Sequence, residues 1–177
     1  SCRMVKKIQK KKGLNEKFLK IIKFLIVFNL FLIPLYTALR LNLSYQPLQN
    51  FLARSTADVL LSRGFNVNEN EDTINLFLGL QLQRIQISWD STGWKSMYTL
   101  VALVLATPKF KLRKKIAFLL YSIPAVFFLN FLRIVTTILF AINYGFEYFE
   151  LLHMLLWREG MILAVVILWF LFLKSKI

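Results

Sequence analysis

Three residues of this chain have side chains suited to cutting an amide: Ser91, Arg133 and His153. Ser91 lies in the polar stretch Trp89-Asp90-Ser91-Thr92-Gly93-Trp94-Lys95-Ser96, between an alternating segment and an apolar one. A hydroxyl attacks a carbonyl when a nearby base takes its proton, and histidine is the usual base. The tetrahedral oxyanion that forms needs positive charge or donors aimed at it. Arg133 suits that task because a guanidinium stays charged in a low-dielectric site. Asn130 stands one helical turn before Arg133 on the same face. Glu150, one turn before His153, is the only nearby acid that could orient the imidazole. Each residue alone also has an ordinary explanation. Ser91 reads as a helix N-cap, Arg133 as a side chain snorkelling to headgroups, and His153 as an interfacial polar residue. The elements that carry them decide between the two readings.

The chain has 177 residues, of which 57% are hydrophobic and 15% aromatic. Its mean hydropathy is +0.56. That apolar share exceeds what a soluble domain of this size absorbs in a core, whereas a bilayer accommodates it. The net charge of +14 could point to nucleic acid. It is gathered in short runs beside apolar spans, as the positive-inside rule requires, so no nucleic-acid partner is expected. Cys2 is the only cysteine, which excludes an internal disulfide framework. There is no Gly-rich phosphate loop, no CxxC pair and no internal repeat, and neither a metal nor a cofactor is expected.

Residues 1–20 read as a basic cytoplasmic tail. Residues 21–39 form a first span, in which Pro34 should kink the helix or mark its upper part. Residues 41–90 make an extracytoplasmic cap. In it Leu48, Phe51, Leu52, Val59 and Leu60 suit an amphipathic helix, Gly64 a helix stop, and Asn66–Asp72 a polar loop. Residues 73–89 alternate with period two, and the phase flips after Gln83. That pattern predicts a small hairpin with a bulge or turn near Gln81 to Arg84, against the alternative of a second interfacial helix. Further spans follow at 94–107, 116–143 and 153–173. The basic runs at the N-terminus, at 109–115 and at the C-terminus all fall on one side. The expected fold class is therefore an all-α membrane protein. Residues 1–177 form one integral membrane domain, a four-transmembrane-helix bundle with both termini cytoplasmic and a cap of one amphipathic helix plus a β-hairpin.

This topology fixes depth. Ser91 precedes the second span on the outer side. The third span rises from Ile116, and Arg133 stands roughly 25 Å higher in a core about 30 Å thick. His153 opens the fourth span from outside. Three polar residues from three spans thus share the outer leaflet, where an intramembrane arginine normally faces the bundle interior or a wet cavity.

At these residues the chain resembles the exosortase/archaeosortase family of membrane transpeptidases. The matching segments are Ser91-Thr92-Gly93, Asn130-Phe131-Leu132-Arg133 and His153, and the similarity extends over roughly residues 88–165. The family carries cysteine where this chain has Ser91. An engineered replacement, a natural serine member and an inactive relative all fit that difference. The resemblance implies Ser91, Arg133 and His153 as catalytic residues, supported by Asn130, Thr92, Gly93, Trp94 and Trp157. It implies an active site at the extracytoplasmic face of the cell membrane. The implied partners are secreted proteins whose C-terminal sorting signal comprises a short motif, a transmembrane helix and a basic tail. The acyl group would pass through an acyl-enzyme to a membrane lipid or another amine acceptor. The competing reading is a small membrane scaffold or partner-binding protein without enzymatic activity, with a transporter subunit as a weaker third.

The charge asymmetry generates a direct test. A cysteine placed at Asn70 should react with an impermeant thiol reagent from outside the cell, and one at Lys111 should not. The reverse pattern would overturn the orientation and the shared depth that follows from it.

Overall fold

Long apolar runs with few charges become helices wherever backbone groups cannot reach water. The computed structural model describes residues 2–145, 147 and 159–175, with side chains from residue 15 on. The basic N-terminus and the first apolar run form one continuous helix, α1 (Cys2–Arg40). Pro34 lies within α1 and does not end it. Within its stretch Asn15–Arg40 the most apolar window of 18 residues has a mean hydropathy of 2.2 and no buried residue. Tyr98 donates its hydroxyl to the carbonyl of Phe31 at 2.7 Å. That carbonyl lies just ahead of Pro34, where the missing N–H and the ring weaken the backbone ladder.

The other helices are α2 (Gln46–Ser62), α3 (Trp94–Ala106), α4 (Leu112–Tyr144) and α5 (Met161–Lys174). Among the described residues, α1 and α4 are the helices long and apolar enough to cross a membrane. The 13 residues of α3 rise only about 20 Å, against a hydrocarbon core of about 30 Å. The described residues form a mostly helical membrane protein with two long apolar helices and a small sheet, and the start of the expected span at 153–173 lies outside them.

Between α2 and α3 runs a three-stranded antiparallel sheet of β1 (Asn66–Asn70), β2 (Thr73–Leu78) and β3 (Gln81–Gln86), in that spatial order. The mostly helical class stands, with a small sheet in the cap, and the expected loop and hairpin are corrected in two respects. Asn66–Asn70 is a strand, not a loop. Its polar residues hid it, since Val67 is the only one of the five that is buried. The turn lies at Gly79-Leu80, ahead of the predicted Gln81 to Arg84, and those four residues are strand. The phase flip is the signature of that turn. A two-residue loop pairs Ile74 with Ile85 and Leu76 with Gln83, so even positions on β2 face odd positions on β3. Gly79 holds φ +61, the left-handed region that glycine enters without steric cost.

The amphipathic helix α2 packs Leu52, Ala53, Ala57 and Leu60 onto Ile74, Leu76 and Ile85 of the sheet. Ile134 and Ile138 of α4 complete that core. A second cluster joins α3, α4 and α5 through Leu100, Val104, Val126, Met161, Val165 and Phe172. α4 thus belongs to both cores, and the junction between them lies at Asn130 and Arg133.

Leu52→Ala or Ile74→Ala should cost about 2–5 kcal/mol, because each removes a fully enclosed side chain without room for collapse. Leu80→Ser at the exposed turn should change stability by less than about 0.5 kcal/mol. Thermal unfolding in detergent measures all three, and equal losses at Leu52 and Leu80 would contradict the register.

Candidate active site

The polar stretch folds as a 3-10 turn, Trp89–Thr92, which joins β3 to α3. Ser88 caps it. The Ser91 N–H donates to the Ser88 carbonyl at 2.9 Å and lies 3.3 Å from the Ser88 hydroxyl. The two hydroxyls, Ser88 Oγ and Ser91 Oγ, are hydrogen-bonded at 2.8 Å. Thr92 is fully buried and donates its hydroxyl to the Trp89 carbonyl at 2.8 Å. Trp89 and Trp94 stack across the turn with centroids 5.4 Å apart. Outside it, Asp90 and Lys95 form an exposed ion pair at 2.8 Å. The N-cap of α3 is Gly93, not Ser91, and it carries no side-chain cap.

From α4, two side chains reach the same atom of this turn. Asn130 donates its amide to the Ser91 carbonyl at 3.0 Å. Arg133 donates Nη2 to that oxygen at 3.3 Å, across 42 residues of sequence. Both side chains are buried, Asn130 completely. The approach is close because residue 93 is glycine. A Cβ there would stand 2.7 Å from Asn130 Cγ, and Gly93 already holds φ +77. The Arg133 carbonyl in turn accepts from the Thr137 hydroxyl at 2.7 Å.

The fold thus brings Ser91, Thr92, Gly93, Asn130 and Arg133 together, with one difference from expectation. Arg133 grips the main-chain carbonyl of Ser91, while the Ser91 hydroxyl turns to Ser88. The turn divides two clefts. One, of about 250 Å³, is lined by Asp90, Gly93, Lys95, Asn130 and Arg133 at its polar end and by Leu103, Met161 and Val165 of the apolar helices. The other, of about 290 Å³, is lined by Gln83 through Ser88, Ser91, and Ile134, Thr137 and Ile138 of α4. Arg133 lines the first of these clefts and Ser91 the second.

His153, Glu150 and Trp157 lie outside the described residues. Ser88 was not singled out by the sequence. Its signal was there, a serine three residues ahead of another at a turn leading into a helix, the spacing of a side-chain cap. Among the described residues no group of three or more His, Cys, Asp or Glu side chains could hold a metal.

The family described as transmembrane exosortase matches residues 14–173 of this chain. No curated protein and no solved structure matches it.

Gly93→Ala should destabilise the protein by about 1–3 kcal/mol through its positive φ and its clash with Asn130. Asn130→Ala removes the Cγ that the new methyl would strike. The double variant should then lose less than the sum of the two single losses, a coupling that thermal unfolding can read. Strict additivity would show that the close approach does not constrain residue 93.

Proposed function

The chain belongs to the transmembrane exosortase family, a cysteine-protease-like family of membrane transpeptidases, and we propose that it cleaves C-terminal sorting signals of secreted proteins at the extracytoplasmic membrane surface. The observation that carries this reading is the meeting of Ser91 with Asn130 and Arg133 at one carbonyl, across 39 and 42 residues of sequence. An arginine buried at that depth is costly unless it has a task. Here it holds the nucleophile's backbone and stands beside the place where an oxyanion would form.

In the proposed reaction the residue-91 side chain attacks the scissile carbonyl and His153 accepts its proton. Arg133 stabilises the tetrahedral oxyanion. His153 returns the proton to the departing amine, which leaves with the transmembrane helix and basic tail. A membrane lipid or another amine acceptor then attacks the acyl-enzyme, giving its proton to His153, which passes it to the departing residue-91 side chain and so regenerates it. The apolar cleft beside Gly93 and Met161 supports lateral entry of such an acceptor from the bilayer. Both termini face the cytoplasm in this reading, which the charge distribution supports.

A second reading is favoured by the hydroxyl pair. Ser91 Oγ is bonded to Ser88 Oγ at 2.8 Å, and Arg133 and Asn130 also act as staples of the turn. A scaffold that binds a partner protein without cleaving it would keep the same contacts.

Ser91→Cys should give equal or higher cleavage of a membrane-anchored substrate, because a thiol ionises near pH 8.5, far more readily than a hydroxyl. In that background Arg133→Ala should lower the rate about 100-fold or more, and His153→Ala should abolish it. The readout is a gel shift of tagged substrate in reconstituted membranes. Full activity of the His153→Ala protein would remove the assigned base. Cleavage by the serine form together with an inert Ser91→Cys would identify a true serine enzyme.

A further inference from the structure

The cleft beside Ser91 has an unusual wall. Six consecutive residues, Gln83 through Ser88, line it. Side chains of a strand alternate between its two faces, so an unbroken run can line a cleft only along the strand's edge, where main-chain groups are presented. β3 is an edge strand, and among the described residues β2 is its only partner.

The parity of that edge follows from one bond. The Ile87 N–H donates to the Asp72 carbonyl at 2.8 Å, in register with the pairs Ile74–Ile85 and Leu76–Gln83. In an antiparallel ladder, residues bonded to the neighbour alternate with residues turned away from it. Gln83, Ile85 and Ile87 therefore address β2, whereas Arg84 and Gln86 turn their N–H and C=O groups into the cleft. The opposite wall, Ile134, Thr137 and Ile138 of α4, is mostly apolar. An extended peptide meets both needs, with main-chain bonds on one side and side-chain contacts on the other.

We propose that β3 captures the segment preceding the scissile bond as a fourth strand, paired parallel to β3. This rests on the sorting-signal reading above, and the direction follows from connectivity. β3 runs toward Ser91 and then into α3, from water to membrane. A sorting motif that precedes a transmembrane helix makes the same journey. Aligned parallel, its scissile bond arrives at Ser91 as its helix enters the bilayer. Antiparallel pairing would point that helix away from the membrane. In parallel register one substrate residue sits opposite Ile85, donating to the Arg84 carbonyl and accepting from the Gln86 N–H. Substrate N–H groups two residues either side repeat the pattern.

The test uses the full chain in phosphatidylcholine–phosphatidylglycerol vesicles. The probe is a reporter protein ending in a short randomised segment, a transmembrane helix and a basic tail, selected for retention by the chain. Arg84→Pro removes an N–H facing the cleft and leaves the β2 ladder intact, a placement that proline tolerates on an edge. Arg84→Ala keeps the N–H and controls for the side chain. Arg84→Pro should weaken retention of the selected reporter about tenfold relative to Arg84→Ala, a difference of about 1.4 kcal/mol. With the unaltered chain, N-methylation along the reporter segment should weaken retention at every second residue only, which holds even if Arg84→Pro fails to fold. The proposal is overturned by equal retention with Arg84→Pro and Arg84→Ala, by N-methyl effects without alternation, or by the absence of any retained reporter. It is also overturned if Arg84→Pro instead dissolves a dimer of this chain formed without reporter. Cleavage is scored separately with Ser91→Cys. Alternating retention without cleavage would keep the edge as a binding groove and remove the transpeptidase reading. Cleavage without alternation would do the opposite.

Discussion

One carbonyl oxygen organises the centre of this molecule. Ser91 O accepts from both Asn130 and Arg133, and these two bonds tie the turn between the sheet and α3 to the middle of α4. Burying an arginine and an asparagine among apolar helices costs several kcal/mol unless their donors find acceptors. The turn supplies that acceptor because a 3-10 geometry leaves main-chain carbonyls at its end unpaired. The same economy explains Gly93. Only a residue without Cβ lets Asn130 approach and also adopts φ +77 at the junction of turn and α3.

From that clamp the architecture divides. On one side the cap core of α2 and the sheet closes over Ile134 and Ile138. On the other, α3 and α5 pack along α4 through Leu100, Val126 and Val165. Two clefts adjoin the turn, one lined by Arg133 and Asn130 and the other by Ser88 and Ser91. The hydroxyl pair of Ser88 and Ser91 borders the cleft beside β3, and Arg133 the cleft beside Met161 and Val165.

At the opposite end, lysines finish the short helices. Lys115 Nζ donates to the Leu105 carbonyl at 2.7 Å and Lys109 Nζ to the Leu173 carbonyl at 3.0 Å. These carbonyls belong to the last turns of α3 and α5, where the helix leaves acceptors unpaired and the dipole favours cations. Lys109 and Lys114 also stand over the Phe110 ring, 4.9 and 4.6 Å from its centroid. The basic loop is thus part of the helix-packing machinery as well as a charge marker.

Composition and charge runs alone determined that the chain is a membrane protein, because hydropathy is a local property of a window of residues. Period-two alternation located the strands β2 and β3, and the short motifs around Ser91, Asn130 and Arg133 located the residues that the fold brings together. The polar strand β1 was invisible, since its pairing is dictated by β2 and not by its own residues. The turn at Gly79-Leu80 was displaced in the reading because a phase flip marks a change of parity, not the place where the chain reverses. Only the tertiary structure decided that Arg133 holds a main-chain carbonyl, that Ser88 is the hydroxyl's partner, and that β3 offers an edge to a cleft. Those outcomes depend on which atom of a residue points where. That is fixed by the backbone path between distant elements, and neither composition nor spacing carries it.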